Sequence, residues 1–216
     1  AAAVETLAHE FSGPVPQRPE VTLVEWDPEA EIKVAAAALY SQSALPDDHL
    51  LDVARRMSPD DRERVVRAYV GDRMNRRHKP GRAMERADYR FDILCDFGAF
   101  RDLQRHRMLT IEWQRLGTQH GYSVPQTIET TGRAASWREA MERMAALHVA
   151  VNATGGPDAA QYAVPLAYRI RFVMQLNVRE AFHLLELRTS RQGHAAYRRV
   201  CQEMHRLIRD QAGHTV

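Results

Sequence analysis

The sequence predicts an α+β fold, in the form of a helix-rich domain with a small antiparallel or mixed sheet. Two observations lead to this prediction. Three short segments alternate apolar and polar side chains or are rich in β-branched and aromatic residues, as strands are. Between them lie long segments whose apolar residues recur every three or four positions, which is typical of amphipathic helices.

The strands are predicted at Val21–Trp26, Tyr89–Asp96 and Tyr168–Leu176. The first has the β-branched and aromatic content of a strand. In the other two, apolar residues alternate with polar ones. Successive side chains of a strand point to opposite faces, so each of these strands has one apolar face and one partly charged face.

Helices are predicted over most of the remaining chain. Asp27 and Ser58 each supply a capping residue followed by a first-turn proline. Ser136 and Glu139 form a capping box ahead of an apolar stripe that is expected in the core. The predicted helices cover residues 1–11, 28–40, 47–57, 59–70, 97–107, 136–155, 178–187 and 195–210.

Residues 1–19 are predicted to be a linker or an N-terminal extension, and residues 20–216 to be the folded domain. Gly13 and the three prolines that follow it by residue 19 break regular structure after the short first helix. The chain has no initiator methionine and no signal segment, so we expect Ala1 to be a cut or processed end.

The charge composition argues against a nucleic-acid-binding protein. The 216 residues include 28 arginines and 2 lysines against 28 carboxylates, which gives a formal net charge of +2. A protein that coats nucleic acid needs a net basic surface. The arginines therefore either pair with carboxylates or converge locally on an anion.

Further signals are missing from the sequence. No apolar run approaches the roughly 20 residues needed to cross a bilayer, so no membrane partner is expected. Cys95 and Cys201 lack a CxxC partner and the histidines lack ligand spacing, so neither disulfides nor a metal site is predicted, and a reducing cytoplasm is expected. The absence of GxGxxG and GxxxxGK[ST] motifs argues against Rossmann and P-loop enzymes.

The first candidate for chemistry is the basic segment Arg101–Arg107. Arg105, His106 and Arg107 are consecutive, and neighbours on a helix lie about 100° apart. At least one of them must therefore point inward or across an interface. The alternative is a solvated helix end whose positive charge offsets the helix dipole.

The second candidate combines Arg169 and Arg171 on the third strand with Asn177 and Arg179 at the junction with the next helix, and Arg188 near that helix's end. Free amides at a helix N-terminus and guanidinium groups can bind the same phosphate or carboxylate. The alternative is a surface of ion pairs, each of which contributes little.

Together the two candidates resemble the flavin-dependent thymidylate synthase family, ThyX. That family carries Arg-His-Arg near the end of a helix that follows a strand, and later a strand leading into Asn-x-Arg, a helix and Leu-Arg. Here these motifs are Arg105-His106-Arg107, Asn177-Val178-Arg179 and Leu187-Arg188, in the same order and at similar spacing. The resemblance covers roughly residues 21–210.

The resemblance implies a homotetramer that binds FAD at subunit interfaces. It implies reductive methylation of dUMP, or a related pyrimidine nucleotide, at C5 with NADPH and methylenetetrahydrofolate as co-substrates. Residues 20–216 would then be a ThyX-like FAD-binding domain. The implied site residues are FAD-binding Arg105, His106, Arg107, Asn177, Arg179 and His194, catalytic Arg188, and substrate-binding Gln104 and Arg115.

At several positions the sequence departs from the family pattern. Arg86 stands in place of a histidine, Arg115 in place of a serine, and Gly117-Thr118 in place of Arg-Tyr. Gln161 replaces an arginine that binds phosphate in the family. Losing a charge-assisted phosphate contact weakens binding strongly, so we expect dUMP recognition by this chain alone to be impaired.

Other functions remain open from the sequence. The domain can be a catalytically degenerate relative kept for assembly or for nucleotide or nucleic-acid binding, or a purely structural helical interaction domain. It can also be one half of a tandem protein in which a second synthase-like domain supplies the missing site residues.

Overall fold

In a computed structural model, which describes residues 2–14 and 16–214, the chain forms a four-stranded antiparallel sheet packed against helices. The predicted α+β class is confirmed, and of the two sheet types that the sequence left open the antiparallel one is present. The strands are β1 (Val21–Trp26), β2 (Asp88–Asp96), β3 (Leu109–Trp113) and β4 (Arg169–Asn177), in the spatial order β1-β2-β4-β3.

The helices account for most of the other described residues. They are α1 (Ala2–Phe11), α2 (Ala30–Tyr40), α3 (Asp47–Arg56), α4 (Pro59–Val70), α5 (Phe97–Leu103), α6 (Gln126–Thr130), α7 (Ala134–Ala160), α8 (Val178–Arg188) and α9 (Ala195–Asp210). Short 3-10 turns lie at Arg82–Arg86 and Gln161–Ala163. The expectation about Ala1 falls outside the described residues, and the division into extension and domain stays a prediction.

Side-chain caps explain where three of the helices begin. The carboxylate of Asp96 accepts the N–H of Ala99 (2.8 Å) at the start of α5. Ser58 caps α4 in the same way. The side-chain oxygen of Asn177 accepts the N–H of Glu180 (2.9 Å), so α8 begins directly at the end of β4. Each cap satisfies a backbone donor that a helix start leaves free.

The sheet buries one face against α5, α8 and α9. Phe91, Ile93, Phe172 and Met174 on β2 and β4 are at most 1% exposed. Each side chain of this kind stabilises the fold by about 1.5–3 kcal/mol. The other face is partly charged, as predicted. A second buried cluster joins α2, α3 and α4.

The predicted helix over residues 97–107 was wrong beyond Leu103. The N–H of His106 donates to the carbonyl of Leu103 (3.1 Å), which closes a turn instead of a further helical turn. The chain then enters β3, a strand that was not predicted from the sequence. Leu109, Ile111 and Trp113 carried its alternating signal, but the basic run before them was assigned to a helix.

The predicted capping box at Ser136 was also wrong. Helix α7 begins at Ala134 without a side-chain cap, so Ser136 lies inside its first turn. Gly156, at φ +78, interrupts the helix, and Pro157 opens a last short segment that ends at Ala160. The apolar stripe is buried at Met141 but 46% exposed at Leu147, so the predicted core contact holds only for the first part of the helix.

Across the part of the chain that the structure describes, even the long α7 lacks the apolar length that a bilayer crossing requires, and so do the other helices.

Candidate functional site

The two arginine-bearing segments predicted from the sequence meet in the structure. β2 and β4 are antiparallel neighbours, with Asp96 opposite Arg169, so α5 and α8 begin at opposite ends of the sheet. After α5 the chain has returned to the end where α8 begins, because β3 starts with Leu109 opposite Leu176. The turn after α5 contacts α8 directly through His106. Motifs that lie far apart in the sequence therefore form one site.

His106 is buried, with its side chain 4% exposed, and both of its ring nitrogens are hydrogen bonded. Nε2 accepts the Nε–H of Arg188 (3.1 Å), and Nδ1 lies 2.8 Å from a carboxylate oxygen of Glu180. A guanidinium can only donate, so Nε2 must carry the lone pair and Nδ1 the proton. The network therefore assigns His106 as the Nδ1–H tautomer, donating to Glu180.

Arg188 is held by three groups besides His106. It donates through Nη2 to the carbonyl of Asp102 (2.5 Å), and its Nη1 lies 3.7 Å from the Asp102 carboxylate. Its guanidinium also lies over the ring of Tyr197, 5.2 Å from the ring centre. With 13% of its side chain exposed, Arg188 is a fixed cation at the edge of the core.

His183 lies next to this network on α8. Its ring centre is 5.4 Å from that of His106, and burial, the largest effect, lowers its pKa. Ligand atoms of His106, Glu180 and His183 lie within 4.8 Å of one another, a spacing that can hold a metal ion. A metal-bound histidine, however, usually donates its other N–H to an acceptor, whereas His106 receives a hydrogen bond from Arg188 there. The donor set therefore fits a hydrogen-bonded network better than a metal site.

The remaining motif residues on α8 have local roles. Asn177 caps the helix through its oxygen. Arg179 donates to the carboxylate of Glu85 (2.9 Å) and to the carbonyl of Pro80 (3.0 Å). Hydrogen bonding from Arg82 first, and also from Arg179, lowers the pKa of Glu85, so this carboxylate is fully occupied by cations.

Gln104, Arg105 and Arg107 face solvent around the buried His106. Arg105 is 71% exposed and lies 3.8 Å from Asp102. Arg107 has no carboxylate within 4 Å among residues 2–14 and 16–214. The predicted conflict between three consecutive polar residues is thus resolved by turning His106 inward and both arginines outward.

His194 belongs to the same region. Its Nδ1 caps α9 by accepting the N–H of Ala196 (3.3 Å), and its ring lies 6.2 Å from the ring of Tyr197, which in turn contacts Arg188. His194 is therefore linked to His106 through Tyr197 and Arg188, by three successive contacts.

The positions that depart from the family pattern are taken up by local contacts. Arg115 pairs with Glu5 (3.0 Å) on α1 and with Asp158 (3.3 Å) on α7, away from the residues around His106. The side chain of Gln161 accepts the N–H of Leu116 (3.0 Å). Arg86 pairs with Asp47 (2.7 Å).

A second basic segment, which was not predicted from the sequence, lies next to α8, between α4 and β2. It carries Arg73, Arg76, Arg77, Lys79 and Arg82 within ten residues. Arg73 forms a two-point ion pair with Glu186 (2.8 and 2.9 Å). Charge density alone was the signal that could have revealed it.

Comparison with known proteins identifies the family. The family model described as thymidylate synthase complementing protein matches residues 22–212. UPF0159 proteins from Chlamydia muridarum and Chlamydia pneumoniae are 44% and 43% identical to this chain over 184 and 192 residues. A UPF0159 protein from Thermoplasma acidophilum is 38% identical over 138 residues, which cover 63% of this chain and 28% of that protein.

The two chlamydial matches cover 85% and 88% of this chain but only 35% and 36% of those proteins. The chain thus spans about a third of the length of these curated relatives.

The fold is similar to a crystal structure of PolB, a UMP/dUMP methylase from Streptomyces cacaoi, bound with 5-Br dUMP. The TM-score is 0.67 at 17% sequence identity, over 90% of this chain and 92% of that one. The likeness at this identity establishes the fold. Since the family match spans residues 22–212, the chain belongs to the thymidylate synthase complementing protein family.

Proposed function

We propose that this chain is a flavin-dependent thymidylate synthase-like domain that methylates dUMP, or a related pyrimidine nucleotide, at C5 with FAD, NADPH and methylenetetrahydrofolate. Family membership and the fold shared with a UMP/dUMP methylase support this reaction class. The observation that carries the proposal is the 3.1 Å contact between Arg188 and His106, which joins two motifs 82 positions apart.

Positive charge is left over where these motifs meet. Glu180 is bonded to His106, Glu85 to Arg179 and Glu186 to Arg73. Arg105 and Arg107 remain exposed beside them. Guanidinium groups bind pyrophosphate through charge-assisted hydrogen bonds, so the residues present fit an anionic dinucleotide such as FAD.

Each motif residue has a distinct part in the proposed site. Arg105 and Arg107 would hold the pyrophosphate of FAD, and Asn177 offers its amide N–H groups because its oxygen is used in the helix cap. His106 fixes the turn that carries the two arginines. Arg188, held by Asp102 and Tyr197, is the residue we place nearest the pyrimidine. When bound, FAD supplies the redox chemistry that a reductive methylation needs.

We infer that a further subunit or domain completes the site, either in a homotetramer or through a second ThyX-like domain in tandem. Gln161 and Arg115 are engaged within this chain and leave the family's phosphate contacts unfilled. The greater length of the chlamydial relatives supports the tandem arrangement.

A cytoplasmic location is part of the proposal. Cys95 and Cys201 are buried free thiols, and burial raises the pKa of Cys201 to about 12, so it is a poor nucleophile. Such thiols are expected of a protein kept in a reducing compartment.

The second candidate function is a catalytically degenerate domain kept for assembly or nucleotide binding. The inward-turned Gln161 at a position of phosphate contact favours it. Complementation of a thymidine-requiring strain by the full-length gene separates the two. Growth without thymidine that is lost with Arg105→Gln supports catalysis, whereas no growth despite folded, flavin-loaded protein supports the degenerate domain.

A further inference from the structure

We propose that residues 73–80, here called the basic turn, form the seat for the phosphomonoester of the nucleotide substrate, with Arg76 and Lys79 as its cationic ligands beside His183. This inference rests on the proposed function, since it assigns a phosphate contact that positions 117 and 161 do not supply.

The basic turn is fixed on α8 at three points. Arg73 donates two hydrogen bonds to Glu186 (2.8 and 2.9 Å), and its guanidinium lies 5.2 Å from the centre of the Phe182 ring. Arg179 donates to the carbonyl of Pro80 (3.0 Å) at the far end of the turn. These contacts hold the basic turn in place before a ligand binds. A flexible loop would have to be ordered on binding, and the entropy lost would lower the affinity.

The shape of the turn does not depend on its outward cations. The side chain of Asn75 accepts the N–H of Arg77 (2.9 Å), the carbonyl of Asn75 accepts the N–H of His78 (3.0 Å), and Nδ1 of His78 lies 3.3 Å from the N–H of Met74. In the part of the chain that the structure describes, the side chains of Arg76, Arg77 and Lys79 are exposed and have no carboxylate within 4 Å. Their charge is therefore available to an anion.

The basic turn packs against α8, which is also the helix that His106 of the Arg105–Arg107 motif contacts. Arg179, Phe182 and Glu186 contact the turn and recur at the spacing of one helix face, and His183 lies beside them. Arg179, which donates to the carbonyl of Pro80 next to Lys79, lies one helical turn before His183. Burial first lowers the pKa of His183, the Glu180 carboxylate raises it, and the charges of Lys79 and Arg76 lower it. His183 thus lies one helical turn from a residue that contacts the basic turn, and its ring centre is 5.4 Å from that of His106.

An open cavity of about 320 Å³ borders the turn, lined by Arg73, Met74, Asn75, Arg76 and Glu186. Its volume is roughly ten times that of one water molecule in the liquid, which leaves room for a hydrated phosphate group. Glu186 does not oppose anion binding there because Arg73 neutralises it through two hydrogen bonds.

The other positions that could hold the phosphate are occupied. Arg115 is paired with two carboxylates, and Gln161 bonds the backbone of Leu116. Gly117 has no side chain to offer. Arg76 and Lys79 are free of such partners among the described residues and lie beside the motif helix.

The test measures dUMP and inorganic phosphate binding to the full-length protein by calorimetry at fixed low salt. The test variant is Arg76→Gln with Lys79→Gln. The matched control is Arg64→Gln with Arg67→Gln on α4, which also removes two exposed positive charges. FAD binding and thermal unfolding are measured on every variant.

We expect dUMP affinity to fall at least about tenfold in the test variant and less than about twofold in the control, because a charge-assisted contact is lost only in the first. Phosphate should compete with dUMP in the wild type and shift the ring resonances of His183.

An equal loss in both variants, or unchanged dUMP affinity in the test variant, overturns the phosphate seat while leaving the proposed function in place. If the wild type binds neither FAD nor dUMP, the proposed function fails together with the phosphate seat.

Discussion

The Nε–H of Arg188 donates to Nε2 of His106 over 3.1 Å, and this single contact fixes the state of a buried imidazole. Nδ1–H must then donate to Glu180, 2.8 Å away. A positive and a negative charge stand at the two ends of a neutral ring, so each compensates the other inside the protein. The family's Arg-His-Arg motif is anchored here by its middle residue.

The ring of His106 should carry its proton on Nδ1. Nuclear magnetic resonance of ¹⁵N-labelled histidine in the full-length protein at pH 7.5 should show the neutral Nδ1–H tautomer. In Glu180→Gln the amide oxygen still accepts this proton, so the same tautomer should persist. Finding the Nε2–H tautomer would contradict the hydrogen-bond assignment.

Removing Arg188 should destabilise the protein. Arg188→Ala leaves the Glu180 carboxylate buried without its counter-charge and Nε2 of His106 without a donor. We expect a loss of about 3 kcal/mol or more in the free energy of unfolding, measured in urea. Arg64→Ala on the exposed face of α4 serves as the control and should change stability by less than about 0.5 kcal/mol.

Two substitutions of Asn177 distinguish its role as a helix cap from its proposed role as a ligand of FAD. Asn177→Ala removes the cap of α8 and should cost about 1 kcal/mol of unfolding free energy. Asn177→Asp keeps an acceptor for the Glu180 N–H and should restore stability, but it places a negative charge beside an anionic cofactor. If Asn177→Asp binds FAD as tightly as the wild type, Asn177 does not contact the flavin.

Arg105 and Arg107 should affect binding without affecting folding. Both are exposed, so Arg105→Gln and Arg107→Gln should leave thermal unfolding unchanged. Each loses a charge-assisted hydrogen bond to the cofactor, which should weaken FAD about tenfold or more in a fluorescence titration. Equal FAD affinity in the wild type and both variants would show that Arg105 and Arg107 are exposed surface residues that do not contact the cofactor.

Stability should fall as the solution becomes mildly acidic. Burial lowers the pKa of His214 from 6.5 and outweighs the opposite effect of Glu31 and Asp27, and its Nδ1 is bonded to the hydroxyl of Tyr89 (2.8 Å). The unfolded chain therefore binds more protons below about pH 6.5, so the free energy of unfolding is highest above that pH and decreases as pH falls through it. Thermal melting between pH 8 and 5 should show this slope, and His214→Gln should make it shallower. A melting temperature independent of pH in this range would refute the burial of His214.

Periodicity in the sequence was enough to predict most of the fold. The strands around Val21 and Phe91 and the helix α9 match their predicted bounds closely, because each has one clear apolar face. The wrong predictions lie where one stretch of sequence fits two kinds of local structure. The strand β3 was hidden behind a basic run that also fits a helix end, and Ser136 had the spacing of a cap without the geometry.

The site could be predicted only as a set of motifs. The family resemblance placed His106 and Arg188 at one site, but the inward turn of His106 depends on Glu180, which lies in none of the motifs that carry the resemblance. The basic turn was not predicted for a related reason. Its cations form a candidate site only because the turn lies against α8, and this position follows from the antiparallel pairing of β2 with β4.

The most direct test of the central claim is an FAD titration of the full-length protein, followed by visible absorbance and flavin fluorescence. We predict saturable binding that perturbs both signals and that weakens about tenfold or more in Arg105→Gln, with the fold intact. A protein that remains colourless and takes up no added FAD would contradict it.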